Sequence, residues 1–326
     1  MPGRPGRVRA PVRPPVHAPV RPPVRPRRAR RPRAAAAVAA ALIALVLAGC
    51  AASEPAVPVR SDDVDISASA DLGAVLDRST AVIVLPIDAY FLDPAAQGRV
   101  AQANALLLDA CLREADRSYP PARLGPMVRP PLADSVYGVW TEEQASRSGY
   151  ELDGERTALM HALDESLLAA SRADPGWGPA FAGCLESTEQ LPGLGRDSAD
   201  AESLAITELP RRIRERARSA GEARPEWAAT RARWSACLVE RGLVLRTGEH
   251  SPGTPEVPVD REAAIRAALI DVGCKEETAL VETLSGLEAR YQAALIEQHR
   301  EALAEVAERE HAVAVRADEI LATLGE

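Results

Sequence analysis

The chain has 326 residues, of which 46% are hydrophobic but only 3% are aromatic, and its formal net charge is −8. Residues 1–49 contain eleven arginines and no acidic residue, so the remaining chain carries a net charge of −19, which argues against nucleic acid as a partner because phosphate binding needs a basic patch. With so few aromatic residues, alanine, leucine and valine must supply the core, which favours packed helices over a sheet sandwich.

The N-terminal segment, residues 1–49, is predicted to be a signal peptide. An arginine- and proline-rich stretch precedes an uncharged run, Ala34–Gly49, which is shorter than the roughly 20 residues that span a bilayer. Its end, "LAGC", resembles the lipobox of bacterial lipoproteins, which implies cleavage before Cys50 and a diacylglycerol on the Cys50 thiol. We therefore expect a lipid anchor in the cell membrane, with the protein on the extracytoplasmic face. The alternative is an ordinary secretory signal with an incidental cysteine.

The next segments predict a tether, one strand and a helix. Residues 50–72 are polar, acidic and broken by prolines, as is typical of a flexible tether. The β-branched run in residues 80–93 predicts a short edge strand or an extended lead-in, since Pro86 interrupts it. Asp93 is a suitable N-cap, and the following helix is predicted to continue to about Tyr119.

The remaining chain is predicted to be almost entirely helical. Apolar spacing indicates helices near residues 155–172, over 199–219 with a break at Pro210, from Pro225 to Gly242, and over 260–324. The far end of the last stretch is charged and rich in alanine, so we expect it to project from the body. Its apolar stripe comprises Leu280, Leu284, Leu287, Tyr291 and Leu295.

Four cysteines beyond Cys50 predict two disulfide bonds. The first and third lie in "ACLRE" and "ACLVE", and the second and fourth in "GCLEST" and "GCKEET", an echo that a degenerate duplication would leave. The echo predicts the pairs Cys111–Cys184 and Cys237–Cys274. The alternatives are a chance echo, unpaired core cysteines, or a zinc site, which the lack of any C-x-x-C disfavours.

The expected fold class is therefore mainly α: a disulfide-stapled helical bundle with a long C-terminal helix. The echo divides the chain after the tether into two degenerate helical units, residues 73–195 and 196–326.

Three segments carry a further resemblance. "YGVWTEEQASRSGY", "WSACLVERG" and "DVGCKEETALVET" are similar to a group of uncharacterised lipoproteins and secreted proteins from actinobacteria. The resemblance covers most of the chain after the signal peptide, its motifs are loose, and it implies no activity. The matching residues are Tyr137, Gly138, Gly149, Tyr150, Trp234, Cys237, Gly242, Asp271 and Cys274.

No catalytic signature is found in the sequence. It lacks H-E-x-x-H, G-x-S-x-G, a P-loop and a dinucleotide-binding glycine motif, so we predict no cofactor and no metal. His161 and Glu165 lie one helical turn apart, where a solvated pair is favoured over a metal site. Acidic residues are abundant, but their spacing selects no carboxylate pair for glycoside hydrolysis.

Trp140 and Tyr150 are the candidate binding aromatics, since they lie in the segment that most resembles a binding loop; plain core packing is the alternative. Trp234 is expected to pack on the disulfide of Cys237.

Together these features predict a lipid-anchored extracytoplasmic protein with a non-catalytic binding or scaffolding role at the cell envelope. Its partner would be an envelope protein or a glycan. The alternatives are a carboxylate-dependent enzyme of cell-wall turnover and, less favoured, the substrate-binding lipoprotein of an importer.

Overall fold

A computed structural model of the protein describes residues 64–125, 137–151, 154–247 and 253–325, with only the backbone at 154–156. The predicted signal peptide, Cys50 and most of the predicted tether lie outside these residues. Val64 is already buried in the core beside Ile87 and Ile213. The packed part of the chain therefore begins before residue 73, where the sequence predicts that the tether ends.

Helices dominate the described residues, which also contain one small β-sheet. Strands β1 (Val75–Asp77) and β2 (Val82–Val84) form an antiparallel hairpin. The helices are α1 Pro94–Arg113, α2 Glu142–Ser148, α3 Gly154–Ala173, α4 Trp177–Ser187, α5 Ala201–Ile206, α6 Glu208–Glu222, α7 Pro225–Glu240, α8 Arg261–Glu277, α9 Leu280–Gln298 and α10 Arg300–Leu324.

The hairpin confirms the predicted strand and adds a partner strand that the sequence did not indicate. β2 lies within the β-branched run, and Val75 of β1 stands opposite Val84. Because side chains alternate between the faces of a strand, Ile83 is buried while Val84 is exposed. Pro86 then begins a 3₁₀ turn, Pro86–Tyr90, which leads the chain towards α1.

Two predicted helix boundaries are wrong. α1 ends at Arg113 rather than near Tyr119, and the chain then takes a left-handed conformation at Asp116 (φ 57°) that an α-helix cannot contain. Pro210 does not break a helix either, because it lies in the first turn of α6, where a backbone N–H needs no partner. The interruption falls at Thr207, between α5 and α6.

The helical stretch over 260–324 is confirmed, but its far end does not project. It forms three helices, and the predicted stripe of α9 is buried. Ala317 and Ile320 of α10 pack against Val100 and Ala103 of α1. The expectation of a projecting end is wrong because a helix with many charged residues can still carry one apolar stripe, which a neighbouring helix covers.

Two disulfide bonds link pairs of helices. Cys111 of α1 is bonded to Cys184 of α4, and Cys237 of α7 is bonded to Cys274 of α8. These are the pairs that the cysteine echo predicts. Because disulfides persist in oxidising compartments, they indicate an extracytoplasmic protein. Within the residues that the structure describes, no helix has the length and apolarity that crossing a membrane requires.

The two predicted helical units pack against each other throughout the described chain. α1 packs on α10, and α2 packs on α8. Ile83 of β2 and Leu85, which follows β2, lie in one core cluster with Trp227 and Trp234 of α7. The units therefore share their cores, and a duplication origin stays a prediction.

Candidate functional site

Two residues that the sequence motifs single out, Trp234 and Asp271, lie together beside the second disulfide. Trp234 lies one turn before Cys237 on α7, and Asp271 lies one turn before Cys274 on α8. The indole Nε1 of Trp234 donates a hydrogen bond of 2.8 Å to Asp271 Oδ1. Trp234 shares a core cluster with both cysteines, as the sequence predicts.

The only lysine of the chain, Lys275, is buried in the same place. Its Nζ donates to Asp271 Oδ2 at 2.9 Å and to the carbonyl of Val139 at 2.6 Å, and it lies 5.6 Å from the centre of the Trp234 ring. Burial lowers the pKa of Lys275 from its ordinary value, and the negative charge of Asp271 opposes that shift. Lys275 and Asp271 therefore form a buried ion pair whose charges compensate each other.

Tyr150 completes this group, which we call the Asp271 cluster: Tyr150, Trp234, Asp271 and Lys275. The hydroxyl of Tyr150 donates to Asp271 Oδ2 at 3.3 Å, and burial together with the charge of Asp271 raises the pKa of Tyr150. The preceding Gly149 has a positive φ of 59°, and a Cβ there would lie 3.2 Å from the backbone of Ala264 in α8. Glycine at 149 thus lets this segment approach α8 closely.

Trp140 is a core residue and not a binding aromatic. Its side chain is 2% exposed, and its Nε1 donates to the carbonyl of Ala81 at 3.0 Å. Tyr150 is engaged by Asp271 as described. The indole of Trp140 is therefore packed in the core beside the hairpin, and the hydroxyl of Tyr150 is engaged by α8.

The histidines do not form a metal site in the described part of the chain. His161 and Glu165 are both exposed on α3, as is His311 on α10. No group of three potential metal ligands occurs among the described residues.

A cleft of about 1080 Å³ lies between the hairpin, the N-terminal half of α1 and the segment 190–202. One wall is apolar and consists of Val75, Val82 and Val84, and the exposed fractions of Val75 and Val84 are 65% and 43%. The polar part of the lining, which we call the polar wall, contains Arg196 and several carboxylates. A volume of this size is in the range of ligand-binding pockets.

Hydrogen bonds hold the segment 190–202 against α1 and so define the shape of the cleft. The side chain of Asn104 donates to the carbonyl of Leu191 and accepts from its N–H, each at 2.8 Å. The N–H of Leu92 donates to the carbonyl of Leu194 at 3.0 Å. Arg211 donates to the carbonyl of Ser198 at 2.8 Å. These hydrogen bonds therefore fix the segment 190–202 in place.

Five carboxylates and one guanidinium line the cleft: Asp88, Asp93, Asp197, Asp200, Glu202 and Arg196. Asp93 caps α1 by accepting from the N–H groups of Ala95 and Ala96, and Asp200 caps α5 by accepting from that of Ser203. Burial opposes the ionisation of Asp200, but hydrogen bonds from Ser203 and Gly193 outweigh it and lower its pKa. Both residues therefore have structural roles as helix caps.

Asp88 is the carboxylate nearest the guanidinium. Its Oδ2 accepts a hydrogen bond of 2.8 Å from the N–H of Leu85, whereas its Oδ1 accepts none and lies 3.7 Å from Nη1 of Arg196. The ion pair is thus longer than a hydrogen bond. The other two acids, Asp197 and Glu202, are exposed.

The sequence does not indicate this cleft. The β-branched run predicts strand 82–84, and the loop "GLGRDSAD" at 193–200 carries glycines and charges, but nothing in the sequence links segments so far apart. The only local signal was a β-branched run without a predicted partner strand.

Comparison with protein-family models, with curated proteins and with solved structures finds no match to this chain.

Proposed function

We propose that this protein is a non-catalytic binding protein of the cell envelope, anchored to the membrane through a diacylglycerol on Cys50, and that the cleft is its binding site. The observation that carries the proposal is the cleft itself, because its volume is in the range of ligand-binding pockets and its lining combines the exposed cross-strand valines Val75 and Val84 with polar groups. The disulfides and the lipobox support the location.

The ligand belongs to the envelope in this proposal, as an envelope protein or a glycan. The long C-terminal helix is a weaker candidate surface, since its apolar side is occupied by α1. The importer alternative requires two lobes of alternating strands and helices, and the described residues contain one two-stranded sheet.

Photo-cross-linking in the cells that make the protein tests the cleft. We expect a photoreactive amino acid at Val84 to capture an envelope component, because Val84 lies on the cleft wall. The same amino acid at Val239, which is 56% exposed on α7, is the matched control. Ala101→Trp, at an exposed position of α1 that lines the cleft, should abolish capture at Val84. Equal capture at both valines, or none at Val84, would contradict the proposal.

The anchor is tested separately. We expect Cys50→Ser to release the protein from the membrane or to leave it unprocessed, because the acylated thiol would be lost. Unchanged membrane retention with normal processing would exclude the lipid anchor without affecting the cleft.

A carboxylate-dependent hydrolase of the cell wall is the second candidate, and the carboxylates of the cleft favour it. Such an enzyme needs one protonated acid with a raised pKa. The pKa of Asp200 is lowered and Asp93 caps a helix, which leaves Asp88, Asp197 and Glu202. Release of soluble glycan from purified cell walls by the wild type, lost in Asp88→Asn or Glu202→Gln, would favour the hydrolase over the binding protein.

A further inference from the structure

We propose that the occupant of the cleft is an extended, positively charged peptide segment that adds as a strand to the outer edge of β2. This inference rests on the proposed function and names the ligand class of the same site. Three features carry it: the unpaired edge of β2, the apolar face beside that edge, and the charge of the polar wall.

The edge of β2 faces the cleft. Four successive residues, 82–85, line the cleft, although the side chains of Ile83 and Leu85 are buried in the core. These two residues therefore meet the cleft through their backbone. In the described part of the chain, β2 pairs with β1 alone, and no other backbone–backbone hydrogen bond is made by residues 82–84. An unpaired edge of this kind is a template for an added strand.

The exposed face of the hairpin suits an extended chain. Val75 and Val84 are cross-strand partners and lie on the same face, opposite the buried Ile83. Every second side chain of an added strand would point to this face and contact Val82 and Val84 of its neighbour β2. The other side chains would point away from this face. A peptide that alternates apolar and charged residues would therefore place its apolar side chains on the valines and its charged side chains away from them.

The charge of the polar wall selects a cation. Arg196 already lies beside Asp88, and Asp93 and Asp200 are engaged as helix caps. Asp197 and Glu202 remain exposed, and the chain after residue 49 carries −19. A polyanion would be repelled here, whereas a cationic side chain would be attracted to the exposed carboxylates.

The test measures the binding of capped fluorescent peptides to the complete chain, exported by its host and purified in detergent. A peptide of alternating lysine and valine is the probe, and alternating glutamate and valine is its matched control. A third peptide has the lysine–valine sequence with methylated backbone nitrogens, which cannot donate to a strand. We expect the lysine–valine peptide to bind at least about tenfold more tightly than either of the others.

Variants then locate the binding. We expect Asp197→Asn/Glu202→Gln to weaken binding of the lysine–valine peptide about threefold to tenfold, with a smaller salt dependence. Glu305→Gln/Glu308→Gln, on the exposed side of α10, makes the same change in net charge and should leave binding unaltered. Ala101→Trp should abolish it, because the indole would fill the cleft.

Equal binding of the lysine and glutamate peptides, or no binding of either, would overturn the charge selection. Undiminished binding of the methylated peptide would overturn strand addition, and binding that survives Ala101→Trp would overturn the site. If Val84 captures a glycan or an acidic partner in cells while the lysine–valine peptide fails, this inference is wrong and the proposed function stands. If Val84 captures nothing, both are wrong.

Discussion

A buried carboxylate needs partners for both of its oxygens, and Asp271 has them. Oδ1 accepts from Trp234, and Oδ2 accepts from Lys275 and Tyr150. The side chains of Asp271 and Lys275 are 2% and 5% exposed, so neither can obtain compensation from water. Lys275, the only lysine of this arginine-rich chain, therefore compensates the charge of a buried carboxylate.

Removing Lys275 should leave an uncompensated charge in the core. We expect Lys275→Met to lower the free energy of unfolding by about 3–5 kcal/mol, measured by urea denaturation. Arg266→Met is the matched control, because Arg266 forms an ion pair of the same spacing with Glu262 on the surface of the same helix. That pair should contribute less than about 1 kcal/mol. Similar losses in the two variants would show that the buried pair has no special role.

At the scale of elements, α10 has a buried face that its charged composition conceals. Leu303, Val306, Ala317 and Ile320 are buried along the helix at successive spacings of three, eleven and three residues, each close to a whole number of turns. Glu310 lies on the same face, and its Oε1 is buried without a hydrogen-bond partner. α10 is therefore held in place by packing, and its buried face contains one polar atom without a hydrogen-bond partner.

Truncating the packed face should destabilise the protein. Ile320 is 5% exposed against α1, so we expect Ile320→Ala to cost about 2–4 kcal/mol in urea unfolding. Val315, which is 43% exposed on the same helix, is the control, and Val315→Ala should cost less than about 0.5 kcal/mol. Equal effects would mean that α10 does not pack on α1 in solution.

Glu310 should make the stability depend on pH. Burial raises the pKa of Glu310 from 4.5 to about 7, so the folded state binds a proton more tightly than the unfolded state between these values. This contribution is fully present below the unfolded pKa and is lost as the pH rises through about 7. We expect Glu310→Gln to stabilise the protein by about 1–2 kcal/mol near pH 8, measured by urea unfolding.

Glu308→Gln is the control for this experiment, because Glu308 is exposed two residues away. It should leave the pH profile of stability unchanged. A Glu310→Gln variant with the profile of the wild type would show that Glu310 is ionised without cost.

At the scale of the whole molecule, each disulfide joins two helices and closes a long loop of the chain. The Cys111–Cys184 bond spans 73 residues and the Cys237–Cys274 bond spans 37. Closing loops of this length restricts the unfolded chain strongly. The second bond also holds α7 and α8 together beside the Asp271 cluster.

The Cys237→Ala/Cys274→Ala variant lacks the second disulfide. We expect its free energy of unfolding to be lower by about 4 kcal/mol, because the unfolded chain regains the entropy that loop closure removed. Calorimetry of this variant and the wild type measures the difference, and peptide mapping without reductant checks the pairing. A bond between Cys111 and Cys237 in the mapping would contradict both the structure and the cysteine echo.

The sequence was informative where a pattern was local. The period of the apolar residues predicted the helices near 155–172 and 225–242, and the echo of short motifs predicted the cysteine pairs. It failed where a neighbour decides the outcome. Trp140 has no local feature that distinguishes a core indole from a binding one, and the hydrogen bond to Ala81 becomes visible only when the hairpin is in place.

The amino-acid sequence by itself determined a helical, disulfide-linked class of protein and indicated its export, because periodicity, cysteine context and signal composition are properties of short stretches. Only the tertiary structure decided which surfaces remain open. The cleft joins residues 73–104 to residues 190–202, and α10 loses its apolar face to α1. Burial and exposure depend on contacts between distant segments, and no pattern within either segment encodes them.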